Sequence, residues 1–127
     1  MKPKVLYVED EKLNRDLVNM FLRDIVELDL AATGETGLEM AIQNRYDGFL
    51  LDINLGPGIN GVEVAKKLRE IDHYREIPVV ALTALALNGD KESFLAQGCS
   101  HYMSKPFSKN GIRSFVQEIF RIGPSSI

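Results

Sequence analysis

Residues 48–52 read Gly48-Phe49-Leu50-Leu51-Asp52, a short unbroken apolar run that stops on a carboxylate. Three other runs have the same form. Val5-Leu6-Tyr7-Val8 stops on Glu9-Asp10, Val79-Val80-Ala81-Leu82 on Thr83, and His101-Tyr102-Met103-Ser104 on Lys105. Short apolar runs separated by polar stretches of helical periodicity mark strands buried on both faces of a parallel sheet. In an open parallel sheet the carboxyl ends of the strands share one crevice, where such folds bind ligands. The pattern predicts that three carboxylates, a hydroxyl and an ammonium converge on one spot. Those groups suit a divalent cation and a phosphoryl group.

Outward from these runs, strand and helix patterns alternate from end to end. Val5–Val8 is the first strand. The first helix follows, with Leu13, Leu17, Met20 and Phe21 at helical spacing as its apolar face. Val26–Ala32 alternates more loosely and reads as a second strand nearer an edge. Thr33-Gly34 turns the chain into a second helix with Leu38, Ala41 and Ile42 inward. After the third strand, a glycine-rich loop (Gly56-Pro57-Gly58) leads through Asn60-Gly61 into a third helix, with Val62, Ala65, Leu68 and Ile71 on its apolar side. Pro78 opens the fourth strand, where a missing N–H is tolerated. A fourth helix is predicted from Asn88 to Gln97, with Gly98 just past its end. The fifth strand covers His101–Ser104, and the fifth helix buries Ile112, Phe115, Val116, Ile119 and Phe120. Strict alternation requires right-handed crossovers and helices on both faces of the sheet. A chain of 127 residues is too short for an eight-stranded barrel. The expected fold is a doubly wound, flavodoxin-like α/β sheet of five parallel strands in the order 2-1-3-4-5, with five helices. Its switch point falls between the strands that end in Glu9-Asp10 and Asp52.

The length fits a single domain over residues 1–127, with Gly123-Pro124-Ser125-Ser126-Ile127 as a frayed tail. A hydrophobic content of 45% and a charged content of 26% are those of a soluble protein able to bury its own core. A net charge of −3 leaves no basic footprint for direct nucleic-acid binding. Cys99 is the only cysteine, which excludes an intramolecular disulfide and suits a reducing cytoplasm. The N-terminal stretch meets acidic side chains at Glu9, leaving no room for a signal sequence or a membrane span.

Carboxylates sharing one crevice repel each other unless a cation neutralises them. Oxygen donors with no His or Cys nearby favour magnesium, with manganese as the alternative. Asp10 and Asp52 read as direct ligands and Glu9 as acting through a water. Taken alone, Glu9-Asp10-Glu11 serves equally well as negative charge at a helix N-terminus. Asp52 is different, because a carboxylate directly after an apolar strand is costly without a partner. It could be a plain cation ligand. Beside a hydroxyl and an ammonium it reads as a nucleophile toward phosphorus, forming an acyl phosphate. Lys105 would pair with one phosphoryl oxygen and Thr83 donate to another. Each of these taken singly has a plainer reading: Thr83 as a strand end, Lys105 as a surface lysine, Tyr102 as a half-buried aromatic. Lys105-Pro106-Phe107 adds weight, since a proline just after a strand end can take a cis peptide and orient the preceding side chain.

The segments LYVEDE (6–11), LLDIN (50–54), ALTA (81–84) and HYMSKPF (101–107), in that order and spacing, resemble the receiver domain of bacterial two-component response regulators. The resemblance covers almost the whole chain. It implies that Glu9 and Asp10 are a magnesium-binding pair, that Asp52 is the phosphoacceptor and that Asn54 offers its backbone carbonyl to the metal. It further implies that Thr83 is the switch hydroxyl, Lys105 the phosphate-binding lysine and Tyr102 the switch aromatic. The implied donor is a histidine of a sensor kinase or of a histidine phosphotransfer protein, with self-catalysed transfer and slow hydrolysis. Phosphorylation would then reshape the surface of the fourth helix, fifth strand and fifth helix, including Lys91, His101 and Arg113, where a downstream protein binds a monomer or weak dimer. Residues 81–107 resemble receivers attached to hybrid sensor kinases, which makes a relay role plausible.

One departure stands out. Asp52-Ile53-Asn54-Leu55-Gly56-Pro57 puts the proline one residue later than the commoner family pattern, and Gly61 is correspondingly late. Two rival functions stay in view. A phosphatase or phosphotransferase with an aspartyl-phosphate intermediate needs a second aspartate two residues after the nucleophile, where this chain has Asn54. A phosphorylation-independent interaction module would be favoured by loss of an acidic-site residue, Thr83 or Lys105, and none is lost. Cys99 reads as a small buried apolar group, and His73 and His101 as structural or exposed. Gly56, Gly58 and Gly61 lack the spacing of a phosphate cradle and read as a turn.

Overall fold

The computed structural model describes residues 2–56, 58–84 and 90–122. Five parallel strands, β1 (Lys4–Val8), β2 (Glu27–Ala31), β3 (Gly48–Asp52), β4 (Val79–Thr83) and β5 (His101–Ser104), pair in the order β2-β1-β3-β4-β5. Between and after them run α1 (Lys12–Leu22), α2 (Gly34–Gln43), α3 (Gly61–Arg69), α4 (Asp90–Ala96) and α5 (Lys109–Ile119), with a 3₁₀ turn at Asp72–Tyr74. The expected topology is therefore observed. Every residue of β3 and β4 is buried, because both strands lie inside the sheet under helices on two sides. β2, at the edge, is only partly covered, which accounts for its looser alternation. It is shorter than its sequence pattern suggested, and β4 begins one residue after Pro78.

Period-two alternation splits each strand between two cores. On one face, Leu6, Val8, Phe49, Leu51, Val79 and Ala81 pack against α2 and α3 through Ala41, Val64, Ala65 and Leu68. On the other, Val5, Tyr7, Leu50, Val80 and Leu82 pack against Val18 and Leu22 of α1 and Ile112 and Val116 of α5. Burial of each large apolar side chain contributes about 1.5–3 kcal/mol.

Several helix faces differ from the sequence reading. In α1 the inward residues are Val18 and Leu22, with Phe21 packed at the margin, whereas Leu13, Leu17 and Met20 are 67%, 39% and 58% exposed. Two apolar stripes overlap on this helix, and periodicity alone does not say which meets the sheet. Ile42 is 72% exposed beside buried Ala41, and in α3 Val64 is buried where Val62 is half-buried. α4 begins at Asp90 and Gly98 follows it at φ +113°. Asn88, the Lys91 side chain and the tail from Gly123 lie outside the described residues. Arg113 does not belong to an open α5 surface. Its guanidinium donates to Phe21 O and to Asp24, tying α5 to the end of α1.

Candidate functional site

The carboxyl ends of β1, β3 and β5 bring Glu9, Asp10, Asp52 and Lys105 together, as the strand ends predicted, and Thr83 ends the neighbouring strand β4. Glu9 has no exposed surface. Its Oε1 accepts from Tyr7 Oη (3.1 Å), Asn14 Nδ2 (3.2 Å) and Lys105 Nζ (3.1 Å), and its Oε2 accepts from the Glu11 N–H (3.3 Å). Asp10 is exposed and its Oδ2 accepts from the Gly56 N–H at 3.2 Å. Asp52 is buried. Its Oδ1 accepts from the Asn54 N–H at 3.2 Å, and its Oδ2 lies 3.3 Å from Lys105 Nζ. One oxygen from each of Glu9, Asp10 and Asp52 lies within 4.8 Å of the others.

Thr83 is buried at the end of β4, opposite Ser104 in register, and its carbonyl accepts from the Lys105 N–H at 2.8 Å. The Lys105–Pro106 peptide is cis, as the sequence suggested. Tyr102 pairs with Ala81, two residues before Thr83, and its ring stacks on Phe94 of α4 at 5.8 Å and 20°. The helix-terminus reading of the acidic triplet holds only for Glu11, which stands at the N-cap of α1. α1 starts at Lys12 with no acidic residue in its first turn, and its N-cap, Glu11, makes no side-chain capping bond.

Burial raises the Asp52 carboxyl, and Glu9 raises it further by hydrogen bonding and repulsion, to about 7, against the opposing pull of Lys105. Burial also pushes Glu9 up, but the hydrogen bonds from Asp52 and Lys105 outweigh it and hold Glu9 below the usual carboxylate range. Burial pulls Lys105 down, and the same two carboxylates more than reverse this. The two buried carboxylates thus compete for one ammonium, and a proton is favoured on Asp52 over Glu9. An all-oxygen cluster in that state suits a hard divalent cation, which would take over the neutralising role of the proton.

Three contributors escaped the sequence reading. Tyr7 lies two residues before Glu9 and so on the same face of β1, a signal period-two spacing could have supplied. Asn14 and Arg15 sit one turn into α1. Arg15 Nη1 donates to the carbonyls of Glu9 (2.8 Å) and Asp10 (3.0 Å), holding the β1–α1 turn in place. Cys99 is buried, and its thiol is pushed up to about 11 by that burial. His101 packs its ring edge on Phe115, and His73 lies against Tyr74. Gly56 and Gly58 lie in the β3–α3 loop, and Gly61 is the first residue of α3.

A doubly wound sheet with an acidic crevice bridged by a lysine at its switch point places the chain among small α/β domains that bind ligands at their strand ends. Residues 5–117 match the response regulator receiver domain model, and the chain belongs to that family, the receivers of two-component signalling. It is 41% identical over 113 residues to the polar-differentiation response regulator DivK of Brucella anthropi, a match covering 85% of this chain and 88% of DivK. Among solved structures it resembles the receiver domain of the sensor histidine kinase PA1611 from Pseudomonas aeruginosa, which has a magnesium ion coordinated in its active-site cleft. That match has 31% identity and a TM-score of 0.85, covering 95% of this chain and 99% of the other. It also resembles a chain in the co-crystal of the Saccharomyces cerevisiae histidine phosphotransfer protein Ypd1 with the receiver domain of Ssk1. There the identity is 27% and the TM-score 0.84, covering 93% of this chain and 88% of the other. Among the described residues no helix is long and apolar enough to cross a membrane.

Proposed function

We propose that this receiver accepts a phosphoryl group on Asp52 from a phosphohistidine of a sensor kinase or histidine phosphotransfer protein, in the cytoplasm. The observation that carries this is the Asp52 carboxylate itself, set at a strand end between Lys105 Nζ at 3.3 Å and the carboxylates of Glu9 and Asp10. Asp10, Asp52 and the Asn54 carbonyl would hold magnesium, with manganese as a substitute. Glu9 Oε1, already met by three protein donors, suits a role through a water. Magnesium bound there supplies charge that offsets carboxylate repulsion and draws electrons from an incoming phosphoryl group.

An Asp52 oxygen attacks phosphorus and the P–N bond breaks. The electron pair returns to the imidazole, which takes a proton from solvent, and an acyl phosphate remains on Asp52. Lys105 Nζ pairs with a phosphoryl oxygen and the Thr83 hydroxyl donates to another. Movement of Thr83 frees space beside Tyr102, whose rotation off Phe94 changes the α4–β5–α5 surface presented to a downstream protein. Phosphorylation in this way biases two pre-existing states. Asn54, in the position where aspartyl-phosphate enzymes carry their acid/base, leaves hydrolysis slow and makes the domain a switch rather than an enzyme.

Leu13, Leu17 and Met20 are exposed on α1, and a pocket of about 220 Å³ opens between Leu17, Phe21 and Pro106-Phe107 beside Lys105. That apolar surface suits a protein donor, the class of partner present in the co-crystal of the histidine phosphotransfer protein Ypd1 with the Ssk1 receiver domain. The test is intact mass after acetyl phosphate treatment, with and without magnesium, for wild type and Asp52→Asn. A magnesium-dependent gain of one phosphoryl group in wild type alone is expected. If wild type gains nothing from either acetyl phosphate or a phosphorylated phosphotransfer protein, the reading fails.

A further inference from the structure

The loop from Ile53 to Asn60 carries the extra residue, and its described part is tethered to two other elements. On one side the Gly56 N–H donates to Asp10 at the end of β1, and the Asn54 N–H donates to Asp52. On the other, the Ile59 N–H donates to Glu35 Oε2 at 3.1 Å, across 24 residues of sequence. The chain passes directly against that carboxylate. Gly58 has φ +102°, and a Cβ there would lie 2.6 Å from Glu35 Oε2. One residue earlier on α2, a Cβ at Gly34 would meet Ile59 Cγ1 at 2.6 Å. Glu35 itself stands on a secured helix end, since the Thr33 hydroxyl caps α2 by accepting from the Thr36 N–H at 3.1 Å. Beyond Ile59 the chain enters α3 at once through the Asn60–Glu63 capping box.

We propose that Glu35 is a positioning residue for the phosphoryl-accepting site, clamping the long β3–α3 loop so that Gly56 and Asn54 stay seated on Asp10 and Asp52. This rests on the reading of Asp10, Asp52 and the Asn54 carbonyl as the magnesium site. A longer loop samples more conformations, so ordering it for a ligand costs more unless a tether limits it. The Glu35 clamp is that tether: it closes the far end of the loop, while Asp10 must serve both the loop and the cation. Glu35 is exposed on its helix and makes no contact with the cation site, so its effect is transmitted through the backbone at Ile59.

The test compares wild type, Glu35→Ala and Glu35→Gln by magnesium titration, followed by amide NMR, with hydrogen exchange at Ile59. Loss of one charge-assisted hydrogen bond should weaken magnesium binding about threefold to tenfold in Glu35→Ala and speed Ile59 exchange by a similar factor. Glu35→Gln keeps an acceptor oxygen, and should stay within about twofold of wild type in both readouts. Equal weakening in both variants would mean through-space charge and overturn the clamp. Wild-type affinity in Glu35→Ala would overturn it too. Failure of the phosphoacceptor reading shows separately, as no mass gain in wild type, because the titration and exchange rates need no phosphoryl transfer.

Discussion

Glu9 and Asp52 sit in the same buried environment and end with opposite titration behaviour, and the difference lies in their partners. Glu9 accepts from Tyr7, Asn14, Lys105 and the Glu11 N–H. Asp52 has one backbone donor and a more distant contact with the same lysine. Protonation is therefore favoured on Asp52 over Glu9. A carboxyl with a raised folded value binds its proton more tightly folded than unfolded. The metal-free protein should lose stability as pH climbs from about 4 through about 7. Glu9 behaves oppositely: its contribution is present above the ordinary carboxylate range and is lost as pH falls through its depressed value. Thermal unfolding of wild type and Asp52→Asn without metal should thus diverge, with Asp52→Asn gaining relative to wild type as pH rises to about 7. Parallel profiles would contradict the raised Asp52 carboxyl. Because magnesium must displace that proton, its affinity should rise with pH up to about 7 and level off above, as calorimetry can show. Lys105→Met should cost about 1–3 kcal/mol by leaving Glu9 short of one charged partner. Added magnesium should recover part of the loss in a thermal shift assay.

At the scale of elements, the entry to α3 is the tightest joint next to the site. A Cβ at Gly61 would run into the backbone carbonyl of Asp52, which cannot swing aside as a side chain could. Gly61→Ala should therefore destabilise the fold by about 1–3 kcal/mol through overpacking. It should also slow phosphoryl uptake from acetyl phosphate by displacing Asp52. Asn60→Ala removes only the cap, at about 1 kcal/mol, and should leave the uptake rate near wild type. A rate lost equally in both variants would deny Gly61 its special position. These joints also mark the limit of what the sequence made legible. The strands were readable because β3 and β4 are covered on both faces, so Phe49-Leu50-Leu51 and Val79-Val80-Ala81 had to be continuously apolar. The strand-end residues followed from topology. The orientation of α1 did not, because residues 13, 17 and 20 form as regular a stripe as the 18, 22 pair that meets the sheet. Arg113 reads as a solvated charge until α1 and α5 are placed side by side. Nothing in the sequence marks Glu35, since its partner, Ile59, is distant in sequence and offers only a backbone N–H.

Over the whole molecule, chemistry and recognition occupy adjoining surfaces that can be separated. The acidic crevice lies at one end of the sheet, Leu13 and Met20 stand exposed on α1, and Leu17 and Phe107 line the pocket that adjoins Lys105. Exposed apolar side chains in such a group mark a protein contact more than a fold requirement. A small donor such as acetyl phosphate needs only the crevice, whereas a phosphohistidine protein must also dock. Leu13→Glu combined with Met20→Glu should leave stability within about 1 kcal/mol of wild type, as for surface positions that pack against nothing. Uptake from acetyl phosphate should be unchanged. Transfer from a phosphorylated histidine phosphotransfer protein should fall about tenfold or more, the effect of losing one interface anchor. Equal losses with both donors would place the defect in the crevice, and no loss with either would move docking off α1. The charge pattern favours the expected split, because the substitutions add negative charge where only the protein donor makes extended contact. The small anion would need only the local field of Lys105 and a bound cation at Asp52.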